Sequence, residues 1–361
     1  MTKMNQNNFA ILMAGGVGSR FWPVSTAKKP KQFLDLLGTG ESLLQTTFKR
    51  LSKLVPQENI YVLTNSGYES LVKGQLPEIK EEQLVLETAM RNTAPAVLLA
   101  TLKIHKKNQN AVMLMAPSDH WIEDESAFKK NIEDAFEACA AKGKIVTLGV
   151  KPSFPNTGYG YIKFSQGPEN IKKVENFTEK PTFEVARQFF QSGNYVWNSG
   201  IFIWNAEFLL NSFRKNLPEM HQLFSSELEV LNTSEEKEFI ASHYSQAENI
   251  SIDYGILERE TEVYMIAAAF DWNDLGTWGS LYEESEKDEN ENAVLNARIW
   301  AKNATGNIIS SNSNKVVVLE DVNNYMVIDE KELLMIVPKG KEQEIKQIRD
   351  EVQQKFGEEL G

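Results

Sequence analysis

The fold is decided near the N-terminus, where the chain reads FAILMAGGVGSRFWP over residues 9–23. Six apolar residues lead directly into a turn that contains Gly15, Gly16 and Gly18, and Arg20 follows it. A strand that ends in glycines is typical of a place where the backbone approaches a ligand, because glycine has no side chain to obstruct the approach. The stretch therefore predicts a strand, a ligand-binding turn and a permanently charged arginine beside it.

Beyond this stretch, short apolar runs alternate with amphipathic segments. Candidate strands lie at residues 9–15, 59–65, 83–88, 111–119 and 144–150, and helix-like segments separate them. This alternation predicts βαβ units in an α/β fold. From residue 151 strand-like segments and loops predominate, and the acidic stretch 283–292 precedes a series of short β-like pieces. We predict two domains: residues 1–285 with a mixed, mostly parallel sheet, and residues 286–361, small and β-rich, ending in a helix.

Charge and composition narrow the function classes. The net charge of -12 over 361 residues argues against a nucleic-acid partner, which requires a basic surface. No apolar run has the length of a membrane span, and no signal peptide is recognised at the N-terminus. The single cysteine, Cys139, cannot form an intramolecular disulfide, which fits a reducing compartment. We therefore expect a cytoplasmic protein with no membrane partner.

The glycine-rich turn is not one of two familiar phosphate-binding loops. The dinucleotide pattern G-x-G-x-x-G fails because Phe21 stands where the third glycine is needed, and no G-x-x-x-x-G-K-[ST] loop occurs. The turn still has the components of an anion site, namely backbone N–H groups accessible at glycines, Arg20, and Lys31 eleven residues later. The residues thus indicate a phosphate site of another kind.

A family resemblance covers this turn and six later segments. The stretch GGVGSRFWPVSTAKKPKQF, residues 15–33, resembles the signature of sugar-nucleotide pyrophosphorylases, and its FWP and PKQF are similar to those of the mannose-1-phosphate guanylyltransferases. The other segments follow in the family's order: ETAMRNTAPA (87–96), APSDHWI (116–122), TGYGYI (157–162), ENFTEKP (175–181), WNSGIF (197–202) and DWNDLGTW (271–278). The resemblance implies a Rossmann-like nucleotidyltransferase domain, a C-terminal domain similar to a left-handed β-helix, and a homodimer.

The resemblance also implies a reaction, in which GTP and α-D-mannose 1-phosphate give GDP-mannose and diphosphate with Mg²⁺ and no covalent enzyme intermediate. Two polyanions must meet, so fixed positive charges and a metal are required. Arg20 and Lys31 are expected to hold phosphates. Asp119 and Asp274, each after an apolar strand, are expected to hold Mg²⁺, with Asp271 as the alternative to Asp274.

The two remaining groups of predicted site residues would bind the base and the sugar phosphate. Guanine presents N–H donors, so its binding site needs an acceptor such as the carboxylate of Glu87. Lys180 is expected to meet the phosphate of the sugar. The segment expected to bind guanosine contains Glu87, Arg91, Asn92 and Thr93, where Asn92 or Thr93 could alternatively cap a helix. The residues expected to bind the sugar phosphate are Tyr159, Gly160, Glu179, Lys180 and Asn198.

Two other functions compete with this one. The first is nucleotidyl transfer to a different hexose 1-phosphate, because base and sugar choice depend on loop geometry. The second is a sugar-nucleotide-binding regulator that keeps the fold without turnover. Loss of Arg20, Asp119, Lys180 or Asp274 would favour the regulator, but all four positions are filled.

Overall fold

A computed structural model describes residues 4–141, 143–312 and 315–360. The chain forms two compact units. Unit one comprises Met1–Gly15, Phe48–Ser118 and Ile122–Trp272, and unit two comprises Gly16–Thr47, Asp119–Trp121 and Asn273–Gly361.

The elements alternate in the first half of the chain as the sequence predicts. The strands are β1 (Asn8–Met13), β2 (Ile60–Asn65), β3 (Leu84–Glu87), β4 (Val112–Pro117), β5 (Trp121–Ile122), β6 (Ile145–Val150), β7 (Tyr161–Phe164), β8 (Ile171–Thr178), β9 (Tyr195–Asn205), β10 (Val263–Ala267), β11 (Trp272–Asn273), β12 (Ala293–Leu295), β13 (Arg298–Lys302), β14 (Ile308–Ser311), β15 (Val316–Glu320), β16 (Tyr325–Asp329) and β17 (Leu334–Pro338). The helices are α1 (Leu43–Leu51), α2 (Glu69–Gln75), α3 (Thr93–Lys107), α4 (Glu125–Ala140), α5 (Phe183–Ser192), α6 (Ala206–Asn216), α7 (Pro218–Ser225), α8 (Glu236–His243), α9 (Trp278–Glu284) and α10 (Ile345–Phe356). None of these helices is long and apolar enough to cross a membrane.

Unit one is built on a nine-stranded sheet in the order β3-β2-β1-β4-β9-β6-β10-β8-β7. Strands β1 to β4 pair in parallel, as do β6 and β10. Helix α3 packs on this sheet through a buried apolar face, and helices α6 to α8 extend the same core. Because β1 lies centrally, the glycine-rich turn emerges at the carboxyl edge of the parallel strands, where such sheets place ligands.

The sheet is mixed and mostly parallel, as predicted, because seven of its nine strands run in one direction and only β8 and β9 run in the other. Strand β9 runs antiparallel to β4, β6 and β7, and β8 runs antiparallel to β7 and β10. Only residues 165–170 separate β7 from β8. A parallel pair needs a crossover of a dozen residues or more, so this short connection requires an antiparallel hairpin.

Unit two contains two layers of strands. In one layer β12, β14 and β16 pair in parallel and β17 closes the edge in the antiparallel sense; in the other layer β13 pairs in parallel with β15. The partners Ile308 and Met326 are 18 residues apart, as are Arg298 and Val316. The C-terminal part of the chain is therefore β-rich, and two of its pairs of parallel strands are offset by 18 residues.

The two units differ from the predicted division at residues 285 and 286. Segment Gly16–Thr47, from the first part of the chain, belongs with the C-terminal strands. The reason is a shared core, in which buried Phe21 and Trp22 pack with Trp278, Ile308 and residues of the four-stranded sheet. A composition change along the sequence marks the acidic stretch but cannot show which early segment packs on the late strands.

Candidate functional site

Lys31 and Gln32 hold the glycine-rich turn of unit two in place. Gly18 has φ of 71°, and a Cβ built on it would lie 2.3 Å from the Lys31 Cβ, so only glycine fits here. The Lys31 backbone N–H donates to the Val17 carbonyl at 3.3 Å, and Gln32 Nε2 donates to the Gly16 carbonyl at 2.9 Å. Arg20 follows with an exposed side chain. The turn is thus held rigidly while its arginine remains accessible.

The Lys31 side chain joins the two predicted metal ligands. Its ammonium donates to Asp119 Oδ2 at 2.8 Å, to the Asp119 carbonyl at 3.2 Å and to the Asp274 carbonyl at 2.8 Å. Lys31 is only 3% exposed, and these contacts use its three N–H donors. The Lys31 ammonium thus lies against Asp119 and Asp274, and its predicted contact with a phosphate stays a prediction. The alternative ligand, Asp271, is exposed.

The Asp119 carboxylate remains available at neutral pH. Burial opposes its ionisation, but the charges of Lys31 and His120 and the hydrogen bond from Lys31 outweigh burial and lower the pKa of Asp119. One third of the side chain is exposed. Asp119 can therefore offer an ionised oxygen to a cation.

The turn that carries Asp274 has an unusual backbone. Leu275 has φ of 44° although it is a fully buried branched residue. The Gly276 N–H donates to Asp274 Oδ1 at 2.9 Å, and the Leu275 N–H donates to Asn273 Oδ1 at 2.8 Å. Such strain persists only where the surroundings impose it, and it is concentrated at functional sites. The turn fixes the direction of the Asp274 carboxylate.

In unit one, Glu87 ends strand β3 with a side chain that is held from two sides. Tyr244 Oη donates to Glu87 Oε1 at 2.6 Å. A Cβ on Gly15 would lie 2.8 Å from Glu87 Oε2, so the carboxylate lies directly against the Gly15 backbone. Burial raises the pKa of Glu87, and the hydrogen bond from Tyr244 partly offsets this. Tyr244 was not predicted, since it lies 157 residues from its partner.

The neighbouring predicted residues fix the local chain. Arg91 Nε donates to the Ser245 carbonyl at 3.0 Å. Asn92 is the residue before helix α3, with φ of 62°, but its side chain makes no capping hydrogen bond. Thr93 Oγ1 accepts from the Ile252 backbone N–H at 2.9 Å. The Asn92 side chain therefore does not cap helix α3. The Thr93 side chain instead binds the backbone of Ile252, which is distant in the sequence.

A second group in unit one collects the residues predicted for the sugar phosphate. A Cβ on Gly160 would lie 2.5 Å from Glu179 Oε2 and 3.3 Å from the Asn198 Cβ, so these side chains pack directly on its backbone. Lys180 pairs with Glu179 at 3.0 Å, and 61% of its side chain is exposed. Lys180 also has φ of 43°. The group offers carboxylate and amide oxygens beside one accessible cation.

Tyr159 belongs to an aromatic cluster. Its ring lies 5.0 Å from that of Trp197 and 5.3 Å from that of Trp272, both edge to face. Trp197 is buried. The Tyr159 ring therefore packs against both tryptophans, next to Gly160 of the group predicted to bind the sugar phosphate.

Asp253 is the residue of this group that sequence reasoning missed. Asn198 Nδ2 donates to Asp253 Oδ1 at 3.2 Å. Burial, and then the charge of Glu179, raise the pKa of Asp253 to about 6. A signal was present, because Asp253 interrupts the apolar pattern of Ile252, Ile256 and Leu257, which are all buried. A carboxylate whose pKa is shifted by burial and by a neighbouring charge is a candidate functional residue.

Replacing Asp253 with asparagine is expected to stabilise the protein at pH 8 but not at pH 4. The folded state keeps this proton up to about pH 6, whereas the unfolded chain releases it near the ordinary value of 3.8. Stability therefore falls as the pH rises from about 4 to 6 and stays lowered above that range. The expected gain at pH 8 is on the order of 1–3 kcal/mol. Urea unfolding at both pH values measures it; an equal effect at both would contradict the account.

A cavity of about 660 Å³ in unit one lies beside β3. Leu84, Leu86 and Thr88 line it together with Lys103 and Glu236. No predicted site residue contributes to its lining, so we do not identify it with the site.

Comparison with known proteins agrees with the resemblance. The family model described as nucleotidyl transferase matches residues 9–291. The chain is 36% identical over 348 residues to the mannose-1-phosphate guanylyltransferase RfbM of Salmonella typhimurium, covering 94% of this chain and 71% of that protein. It is 33% identical over 348 residues to the alginate biosynthesis protein AlgA of Pseudomonas aeruginosa, covering 94% and 70%. A structure from Thermus thermophilus, described as a mannose-1-phosphate geranyltransferase, superposes with a TM-score of 0.87 at 31% identity, covering 96% of this chain and 99% of that chain.

Proposed function

Because this chain belongs to the nucleotidyl transferase family, we propose that it is a mannose-1-phosphate guanylyltransferase. The observation that carries the proposal is 36% identity over 94% of the chain to a relative of that name. In the proposed reaction a phosphate oxygen of α-D-mannose 1-phosphate attacks the α-phosphorus of GTP. The bond from that phosphorus to the bridging oxygen breaks, and diphosphate leaves as GDP-mannose forms.

Unit two supplies the groups for the triphosphate. Arg20 has an exposed guanidinium next to the turn and neutralises the charge that develops on the leaving diphosphate. The backbone N–H groups of the glycine-rich turn donate to the phosphates. Lys31, whose donors bind the two aspartates, positions Asp119 and Asp274.

Asp119 and Asp274 fit Mg²⁺ as the metal. Both provide hard oxygen donors, and their shared contact with the Lys31 ammonium, through Asp119 Oδ2 and the Asp274 carbonyl, brings the two residues close together. Among the described residues no group of three or more histidine, cysteine or acidic side chains could hold a metal by itself, so phosphate oxygens would complete the shell. Bound Mg²⁺ would neutralise phosphate charge and polarise the reacting phosphorus. This donor set does not suit zinc.

Unit one supplies the groups for guanosine and for the sugar. Glu87 accepts from the guanine N–H groups, in an orientation that Tyr244 fixes. Lys180 binds the phosphate of the sugar with its exposed ammonium, and Glu179 accepts from a hydroxyl. Buried hydrogen-bonding groups of this kind discriminate strongly between substrates that do and do not carry the matching hydroxyl.

The proposal is tested by diphosphate release with Mg²⁺ across a grid of GTP, ATP, UTP, CTP and dTTP against mannose, glucose and fucose 1-phosphates. We expect the GTP–mannose combination to dominate and EDTA to abolish it. A dominant signal from another combination would keep the reaction class and reject the substrates. If the folded protein releases no diphosphate with any combination, the alternative of a sugar-nucleotide-binding regulator without turnover is favoured.

Replacing Tyr244 with phenylalanine is expected to raise the KM for GTP about tenfold, because Glu87 loses the hydrogen bond that fixes it. ITP lacks the 2-amino group of GTP, so the preference for GTP over ITP should narrow in the variant. Steady-state kinetics with both nucleotides measures this. Tyr264→Phe is the matched control, because the Tyr264 hydroxyl also donates to a glutamate, Glu262, at 3.0 Å. If the ratio of the KM values for GTP and ITP is the same in the parent protein and the variant, Glu87 is not the acceptor for the base.

The strands of unit two support two further parts of the proposal, a left-handed β-helix and a homodimer. The 18-residue register of the parallel strands is typical of regular coils.

Trp300, Val316 and Val318 point outward from β13 and β15 and are more than half exposed. Parallel strands are normally covered on both faces, so a second copy is expected to cover this one. Light scattering should give a dimer, and Trp300→Glu with Val318→Glu should give a monomer; a monomeric parent protein would contradict the proposal.

We place the protein in the cytoplasm. Its one cysteine, Cys139, is buried, and burial raises the pKa of its thiol to about 12. Such a thiol is inert and needs no oxidising compartment.

A further inference from the structure

The amide of Asn198 offers only part of the hydrogen bonding that the hydroxyls of a hexose require. Asn198 Oδ1 already accepts from the Gly200 N–H at 3.1 Å, while the Thr147 hydroxyl donates its single hydrogen to the Ile201 carbonyl at 3.1 Å. Asn198 Nδ2 carries two hydrogens, and one of them is used on Asp253. Asn198 can therefore donate one further hydrogen bond to a ligand and accept one more. A hexose has more donating hydroxyls than this, so further acceptors are needed on other residues.

Asp253 is placed to be such an acceptor. Its Oδ1 takes the hydrogen bond from Asn198, and its side chain is partly exposed. It starts the five-residue π-helix Asp253–Leu257, a rare element that is frequent at functional sites. The preceding residue, Ile252, is tied through its N–H to Thr93 Oγ1. The carboxylate is thus held by a fixed backbone rather than by a mobile loop.

The charges around Asp253 also favour a hydroxyl ligand. The charge of Glu179 disfavours the ionised form of Asp253, while Lys180 and Asn198 favour it. Two carboxylates in one partly buried group repel each other, and Lys180 pairs with Glu179 rather than with Asp253. Hydroxyl groups that donate to both carboxylates would relieve this repulsion. A polyhydroxylated ring supplies such donors in pairs.

We propose that Asp253 is a substrate-binding residue whose carboxylate accepts a hydrogen bond from one hydroxyl of the hexose, beside the amide of Asn198. Asp253 thereby helps to determine which sugar 1-phosphate is used. The proposal rests on the function proposed above, and it assigns to the π-helix a specificity role within that function.

The test compares the parent protein with Asp253→Ala and Asp253→Asn, using GTP and mannose 1-phosphate or its 2-, 3-, 4- and 6-deoxy analogues. Asp253→Ala is expected to raise the KM for mannose 1-phosphate about 10- to 100-fold and to change the KM for GTP less than about threefold. With one deoxy analogue, the one that lacks the bound hydroxyl, parent and variant should have equal kcat/KM. Glu248→Ala, an exposed carboxylate five residues before Asp253, is the matched control.

The outcomes separate this proposal from the proposed function. A loss that is the same for all analogues would show that Asp253 only positions Asn198, and it would overturn the proposal. An unchanged KM would also overturn it. If the parent protein does not use mannose 1-phosphate, the proposed function fails, and the comparison is made with deoxy forms of the sugar 1-phosphate that the substrate grid identifies. Thermal unfolding of each variant shows that the compared proteins are folded.

Discussion

Replacing Asp119 with alanine is expected to lower kcat about 1,000-fold. The change removes the carboxylate that we propose as a ligand of Mg²⁺ and that pairs with the Lys31 ammonium at 2.8 Å. Lys31 is 3% exposed, so its charge would remain buried beside two carbonyl oxygens without this ion pair. Steady-state rates at saturating GTP and mannose 1-phosphate measure the effect.

The same variant should be less stable by about 1–3 kcal/mol, less than for a fully buried pair because one third of Asp119 is exposed. Asp119→Asn separates the loss of rate from the loss of stability, because it keeps the side-chain volume and the hydrogen bond from Lys31 but removes the negative charge. Glu123→Ala, an exposed carboxylate nearby in sequence, should leave the rate unchanged. Asp274→Ala is expected to resemble Asp119→Ala. An Asp119→Ala enzyme within about tenfold of the parent rate would exclude Asp119 as a metal ligand.

Replacing Gly18 with alanine is expected to lower kcat/KM at least about 100-fold. The new Cβ would lie 2.3 Å from the Lys31 Cβ, and the backbone φ of 71° disfavours any side chain. Relief of this clash must move the Lys31 backbone, whose N–H holds the turn, and the ammonium that holds Asp119 and Asp274. A displacement of about 1 Å in such a group can cost about 100-fold in rate.

Gly16→Ala is the matched control for the steric part of this effect. A Cβ on Gly16 meets nothing within 4 Å, so this variant should unfold at the parent temperature while Gly18→Ala unfolds several degrees lower. Any loss of activity in Gly16→Ala would then report the approach of a phosphate to the turn. A Gly18→Ala protein with parent stability and rate would show that the turn does not position Lys31.

Much of the fold follows from local sequence. The run before Gly15 and the alternation after it predict the parallel strands β1 to β4 because each strand and its helix are specified by nearby residues. The antiparallel insertion of β9 depends on how the short connections after residue 160 fold back, which the alternation does not encode. The packing of Phe21 and Trp22 with Trp278 joins segments that are far apart in the sequence, so no local pattern reveals it.

The candidate site was predictable where its residues lie in recognisable segments. Lys31, Asp119 and Asp274 come from three such segments and meet in unit two. Tyr244 lies in a segment that the sequence pattern marks only as helical, and Asp253 is marked only as a carboxylate within an apolar pattern. Their partners, Glu87 and Asn198, are 157 and 55 residues away, and only the tertiary structure brings them together.

The most direct test of the central claim is a ³¹P NMR measurement of the purified protein with GTP, α-D-mannose 1-phosphate and Mg²⁺. We predict that both substrates decrease together while GDP-mannose and diphosphate appear in a one-to-one ratio. The Asp119→Ala variant should show neither product on the same time scale. GDP and inorganic phosphate in place of GDP-mannose, or unchanged substrates with folded parent protein, would contradict the claim that the chain transfers a guanylyl group to mannose 1-phosphate.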